Sequence, residues 1–175
     1  MRLAYLFSIL AASAQAEVCP TQDFSEQLGL LHDKLVVAET PAQAQALSSE
    51  LWMIWLDAPD EQAQRLLDLG MRKRAGFDYL GARDTLDELV EYCPEYAEGY
   101  NQRAFASFLR RDYLAALFDL DKALELNPRH LGALSGKGLT LMGMGRDDEA
   151  QEVLREALKL NPWLPERELI IGTDI

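Results

Sequence analysis

Two histidines and two cysteines are all that this 175-residue chain offers to metal or nucleophilic chemistry. His32 and His130 have no metal-ligand spacing with each other or with Cys19 and Cys93, so no metal and no cofactor is expected. Basic residues are also scarce: 17 against 29 acidic ones, a net charge of −12. That balance excludes nucleic acid and anionic membrane surfaces as partners, since both need clustered Lys and Arg, and leaves cationic partners open. No Gly-rich loop that could cradle a phosphate is present; Gly143 and Gly145 fall where a turn between helices is needed. The carboxylates are scattered along helix faces in no catalytic constellation, and the chain is not read as an enzyme. No Asn-x-Ser/Thr sequon occurs at Asn101, Asn127 or Asn161.

What is present begins with an export segment. Residues 1–16, MRLAYLFSILAASAQA, place one Arg before an apolar run and end on Ala14-Gln15-Ala16, a small-x-small cleavage pattern. The apolar stretch is shorter than the roughly 20 residues of a membrane-spanning helix. The expectation is a signal peptide cleaved after Ala16, a mature chain from Glu17 with no membrane insertion, and a periplasmic or secreted location, with a bacterial periplasm first. Glu17-Val18 before Cys19 lacks the small residues of a lipid-anchor site. Oxidising compartments favour disulfides, so Cys19 and Cys93, the sole available pair, are expected to be bonded. Helix parity supports this: four antiparallel helices between Asp23 and Tyr92 return the chain to the same end of the layer. A Cys93/His130 nucleophile pair is the weaker alternative.

Pro94, Pro128 and Pro162 lie 34 residues apart, each after an amphipathic run. Leu66, Leu69-Gly70, Ala82, Leu86 and Leu89 recur as Tyr100, Arg103-Ala104, Ala116, Leu120 and Ala123. They recur again as Leu134, Lys137-Gly138, Ala150, Leu154 and Ala157. Gly70, Ala104 and Gly138 are expected to face Ala82, Ala116 and Ala150, because only small side chains let paired helices approach closely. Before these units, Phe24, Leu28, Leu31, Leu35 and Val36 mark a helix from Asp23 to about Glu39, with Thr21 or Asp23 as its cap. Thr40-Pro41 breaks it, and a second helix runs from Ala42 to about Leu56. Residues 17–58 read as a degenerate hairpin covering the first regular repeat.

The Leu-Gly, Ala and Pro positions of these units resemble the tetratricopeptide repeat (TPR) family. The resemblance implies an all-α, right-handed solenoid of antiparallel helical hairpins. Its regular part is 59–162, with units 63–96, 97–130 and 131–164 in register, followed by a C-terminal cap and tail over 163–175. Arg103 and Lys137 stand where the family has Leu, and Lys73 and Ser107 where it has an aromatic; long basic stems can lie on a core while keeping their charge in water. The family's first helices line a concave groove. Carried over residue by residue, that groove comprises Leu67, Asp68, Met71, Arg74, Asn101, Gln102, Phe105, Phe108, Ser135, Leu139 and Met142, with Met71, Phe105 and Leu139 as an apolar row. Asp68, Gln102 and Gly136 stand where one subfamily carries its carboxylate-gripping groups, which argues against such a clamp. The resulting expectation is a protein-interaction module holding a peptide or helix of a partner protein in its groove, without catalysis. The alternative is a self-associating structural or assembly component of the cell envelope.

Overall fold

The computed structural model describes residues 18–172; the expected export segment at 1–16, its cleavage point and residues 173–175 lie outside them. Among the described residues all regular structure is helical. The order is α1 (Ser25–Val36), α2 (Pro41–Trp55), α3 (Glu61–Ala75), α4 (Tyr79–Tyr92), α5 (Ala97–Leu109), α6 (Tyr113–Leu126), α7 (Leu131–Gly143) and α8 (Asp147–Leu160). A 3₁₀ turn follows over Pro165–Leu169. Helices α3 to α8 form three successive antiparallel hairpins, each packed on the next, which is the expected all-α repeat architecture. No helix among the described residues is long and apolar enough to cross a membrane.

Local chemistry sets the boundaries. Asp60 and Asp78 each accept a hydrogen bond from a backbone N–H of the helix they precede, Ala63 at 2.8 Å and Gly81 at 2.9 Å. Thr40 does the same for Gln43, with Pro41 in the first turn of α2. Helix α1 starts without a side-chain cap, although Asp23 accepts from the Ser25 N–H at 2.9 Å. Between the two helices of each repeat one residue takes a left-handed conformation: Phe77 (φ 65°), Arg111 (φ 62°) and Gly145 (φ 72°). Only the third repeat puts a glycine where that backbone is free of steric cost. Gly76, which ends α3, has an ordinary φ of −83°.

The small residues act as anticipated in kind but not in partner. Ala82, Ala116 and Ala150 are buried at the hairpin contacts. A side chain on Gly70 would meet Leu86 at 2.7 Å, and one on Gly138 would meet Leu154 at 2.4 Å. The glycines therefore make room for leucines one turn beyond the alanines. Arg103 and Lys137 are ion-paired, not merely laid along the core, Arg103 across its own hairpin and Lys137 to the preceding repeat. Arg103 chelates Asp119, with Nε–Oδ2 at 2.9 Å and Nη2–Oδ1 at 2.5 Å, and also reaches Asp87 at 2.7 Å. Lys137 reaches Asp121 at 2.6 Å. Burial raises the Asp119 carboxyl above its usual range and Arg103 opposes that rise.

The N-terminal hairpin departs furthest from expectation. The apolar face formed by Leu31, Leu35, Ala44, Leu51 and Trp55 does not lie over the first regular repeat. It packs with Leu131 at the start of α7, with Leu160 at the end of α8, and with Trp163 and Leu164 beyond it. From this part of the chain, Leu56 and Ala58, after α2, and Cys19, before α1, join the core of the first repeat. The reason is complementarity: the C-terminal segment leaves Trp163 and Leu164 uncovered, and the unusually apolar end of α2 supplies the matching surface. Polar contacts fix the register. Trp163 Nε1 donates to the Ala38 carbonyl at 3.0 Å, Asn161 Nδ2 to Ser48 Oγ at 3.3 Å, and the Tyr96 hydroxyl to the Trp55 carbonyl at 2.5 Å. At the other end of the hairpin Cys19 and Cys93 stand at bonding distance, Sγ–Sγ 1.95 Å and Cα–Cα 5.2 Å. The C-terminal segment is tied to α8 by Gln151, which donates to the Leu169 carbonyl and accepts from the Ile171 N–H.

Candidate binding groove

Because α2 lies across the start of α5 and α7, one edge of the concave face has a wall that the regular repeats do not supply. Between that wall, the first helices and the segment after α8 lies a pocket of about 480 Å³. Trp52 sets the spacing of the wall. A side chain on Gly132 would lie 2.7 Å from the Trp52 ring, so the absence of one lets α2 approach α7 this closely.

Of the expected groove residues, Met71, Arg74, Asn101, Gln102, Phe105, Phe108, Ser135 and Leu139 line this pocket. The apolar row of Met71, Phe105 and Leu139 therefore shares one cavity, with Phe105 45% exposed. Three residues do not line it. Leu67 is fully buried in a core that it shares with Leu86 and Leu89 of α4 and with Leu56 and Ala58 from the segment before α3. Asp68 is exposed and accepts from Gln64 at 3.0 Å. Met142, near the end of α7, lies beyond the pocket. Phe108 has a double role, lining the pocket while packing on the core that includes Ala104 and Leu120.

A buried polar network borders the pocket at the start of α5. His130 Nδ1 accepts from the Ala133 N–H at 3.2 Å, which leaves Nε2 as the protonated nitrogen of the neutral ring. Nε2 lies 2.9 Å from Glu98 Oε2, close enough for electrostatic attraction but not aligned as a hydrogen bond. Asn101 Nδ2 donates to the same oxygen at 2.9 Å, Gln102 donates to Glu98 Oε1, and Arg74 donates to Gln102 Oε1. Burial pushes the Arg74 guanidinium below its usual range and Glu98 works against this. The Arg74 guanidinium also stands 4.3 Å from the centre of the Phe105 ring. Arg74, Gln102 and Asn101 are thus held in place by one another, an arrangement that presents polar atoms to a ligand without the entropy cost of ordering them.

The sequence pattern missed Glu98, His130, Trp52 and Trp55. Trp55 stacks on His130, ring centres 4.2 Å apart and planes 16° apart, and Trp52 meets Trp55 edge-on at 5.3 Å. The available signal was the Trp pair at the apolar end of α2, which named no partner. Cys93, being bonded to Cys19, cannot serve as a nucleophile with His130. A second cavity of about 830 Å³ lies between α1, the segment before it and the loops joining the repeats; His32 and Glu98 border it. Among the described residues no group of three or more His, Cys, Asp or Glu side chains is arranged to hold a metal.

Residues 107–163 match the family model described as tetratricopeptide repeat. This part of the hairpin array is similar to tetratricopeptide repeats. A TPR repeat-containing protein of Rhizobium etli is 28% identical over 78% of this chain and 67% of its own length. Tetratricopeptide repeat protein 36 of Xenopus tropicalis is 34% identical over 63% of this chain and 57% of its own length. The chain thus spans about two thirds of the first relative and a little over half of the second. Among solved structures, the TPR domain of Arabidopsis OM64 superposes with a TM-score of 0.60 at 21% identity, over 61% of this chain and 88% of that one. The first TPR of Spaghetti (RPAP3), bound to the HSP90 peptide SRMEEVD, gives 0.61 at 24% identity, over 63% and 88%. The TPR2B domain of yeast Sti1, in complex with an Hsp70 peptide, gives 0.57 at 25% identity, over 58% and 81%. At identities of this order the shared property is the fold, and the face lined by Met71, Phe105 and Leu139 is where this chain adds its own α2 wall.

Proposed function

We propose that this chain is an exported protein-interaction module that holds a peptide or helix of a partner protein in the walled groove, without catalysis. The observation that carries the reading is the pocket itself: an apolar row open to solvent, bordered by amides held in position by Glu98 and Arg74. Pockets of about 300 to 1,000 Å³ with a few fixed polar groups suit a side chain or short segment. The peptide complexes formed by TPR domains of yeast Sti1 and of RPAP3 support a peptide as the ligand type. Export to a periplasm or beyond rests on the pattern of residues 1–16 and agrees with the Cys19–Cys93 pairing.

A second reading, self-association in the cell envelope, is favoured by a different surface. Leu80 on α4 and Leu114 and Phe118 on α6 are exposed; Leu80 and Leu114 occupy equivalent positions of adjacent repeats. Photo-crosslinking separates the two. With a benzophenone amino acid at position 105, the groove reading expects a heterologous adduct in the exported fraction; at position 118, self-association expects a homodimer. Adducts from 118 alone would remove the groove reading.

A further inference from the structure

We propose that the groove selects a segment pairing apolar and basic side chains, with the cation received by Glu166 and the apolar neighbour by the row at Met71, Phe105 and Leu139. The inference deepens the reading of this groove as a peptide site and rests on it. Among the described residues lining the pocket, the charged ones are Arg74 and Glu166. Arg74 is engaged, donating to Gln102 and lying over the Phe105 ring. Glu166 is not engaged in the same way: its Oε2 is buried and accepts no hydrogen bond. A carboxylate oxygen withdrawn from water without a partner is costly, and a cation brought to it relieves that cost.

Two further observations give this group a direction. Glu166 follows Pro165 in a short turn whose end is tied to α8 by Gln151, so the carboxylate belongs to an anchored segment and not to a loose tail. The Ser135 hydroxyl, buried on the same pocket wall, is likewise without a partner and can accept from an ammonium or guanidinium N–H. The net charge of −12 adds a field that draws cations and repels acidic segments. Selection is therefore for Lys or Arg beside a Leu-sized side chain, and against acidic segments.

The test uses the full mature chain and pools of fluorescein-labelled octapeptides, each pool fixing one residue at a central position beside a fixed Leu. Fluorescence anisotropy should show pools fixing Lys or Arg binding about tenfold more tightly than pools fixing Glu. Glu166→Gln should erase that preference while leaving the binding of pools fixing a second Leu unchanged and without lowering the melting temperature, since it removes a buried carboxylate oxygen that has no partner. If Leu-fixed pools bind wild type and lose affinity in Phe105→Glu, but basic pools gain nothing or keep their gain in Glu166→Gln, the charge selection is wrong and the groove reading stands. If no pool binds, the groove reading fails and this inference with it.

Discussion

The regular repeats and the N-terminal hairpin are both pairs of antiparallel helices, yet they are held by different rules. Within the repeats, contacts recur at a fixed sequence interval: small residues at Ala82, Ala116 and Ala150, and glycines that admit Leu86 and Leu154. The hairpin instead docks through partners distant in sequence, Trp163 on Ala38, Asn161 on Ser48, Trp55 on His130. A repeat's neighbour is dictated by connectivity. A terminal hairpin has no such constraint and goes where its apolar face is best covered, here across the concave side. Four measurements bear on that contrast.

The largest effect should come from removing the Cys19–Cys93 bond. It closes a loop with a sequence separation of 74, for which chain entropy gives roughly 4 kcal/mol, often less in practice. If the hairpin is docked as a separate layer, Cys19→Ser with Cys93→Ser should admit protease to α1 and α2 first, while α5 to α8 stay protected. Limited proteolysis followed by mass analysis checks the order. Simultaneous cleavage throughout would mean that hairpin and repeats form one cooperative unit.

Next in size is a break inside the repeats. Asp119 is 3% exposed and holds two Arg103 nitrogens. Asp119→Ala leaves that guanidinium half-buried with Asp87 as its remaining ion-pair partner and should cost about 3 kcal/mol, near the lower end for a broken buried pair. Chemical denaturation measures it, and a loss below about 1 kcal/mol would mark the pair as no stronger than a surface one. This change should leave the hairpin's docking intact.

A third prediction returns to the hairpin. His32 is 1% exposed, neither ring nitrogen has a hydrogen-bond partner, and burial, with Arg129 and His130 nearby, lowers its pKa to about 4 from 6.5. The folded ring stays neutral while the unfolded chain takes up a proton below pH 6.5. Stability is therefore fully present above that pH and is lost as pH falls from 6.5 towards 4, by roughly 2 to 3 kcal/mol. His32→Leu, close to the ring in size and without a titrating group, should flatten this acid limb in melting curves taken across the window. Equal limbs in both proteins would assign the acid sensitivity elsewhere.

The same contrast explains what was legible in the sequence. Pro94, Pro128 and Pro162 and the small residues between them repeat, so the array could be read, and eight of the residues that the family resemblance implied for the groove line one pocket. The second helix, placed at Ala42 to Leu56, runs from Pro41 to Trp55. The docking site of that hairpin was not legible, because the periodicity of Leu51 and Trp55 shows that a face is apolar without naming what covers it. Glu98 and His130 were missed for a related reason: a charge in the first turn of a helix and a His after Asn-Pro-Arg look solvated until α2 lies over them. Arg103 and Asp119 meet across a hairpin, a spacing no local pattern marks. Leu67 holds the register position of Asn101 and Ser135, which line the pocket, but in the first repeat that position is covered by a core that includes Leu56 and Ala58, residues whose placement no repeat pattern marks.

The smallest effect on stability should come from Phe105, and its smallness is the point. The side chain is 45% exposed on the row with Met71 and Leu139. Phe105→Glu creates no fully buried charge, and its carboxylate comes to lie near the Arg74 guanidinium that the ring now faces. A surface change of this kind usually moves stability by no more than about 0.5 kcal/mol. Binding should respond differently. Burying a Phe side chain is worth roughly 1.5 to 3 kcal/mol, so a ligand that covers the row should lose on the order of tenfold to a hundredfold in affinity. Calorimetric melting and peptide anisotropy on the same preparation read both quantities. A drop of many degrees in melting temperature would mean that α2 already covers the row as core, so that the wall built by the hairpin closes the groove instead of bounding it.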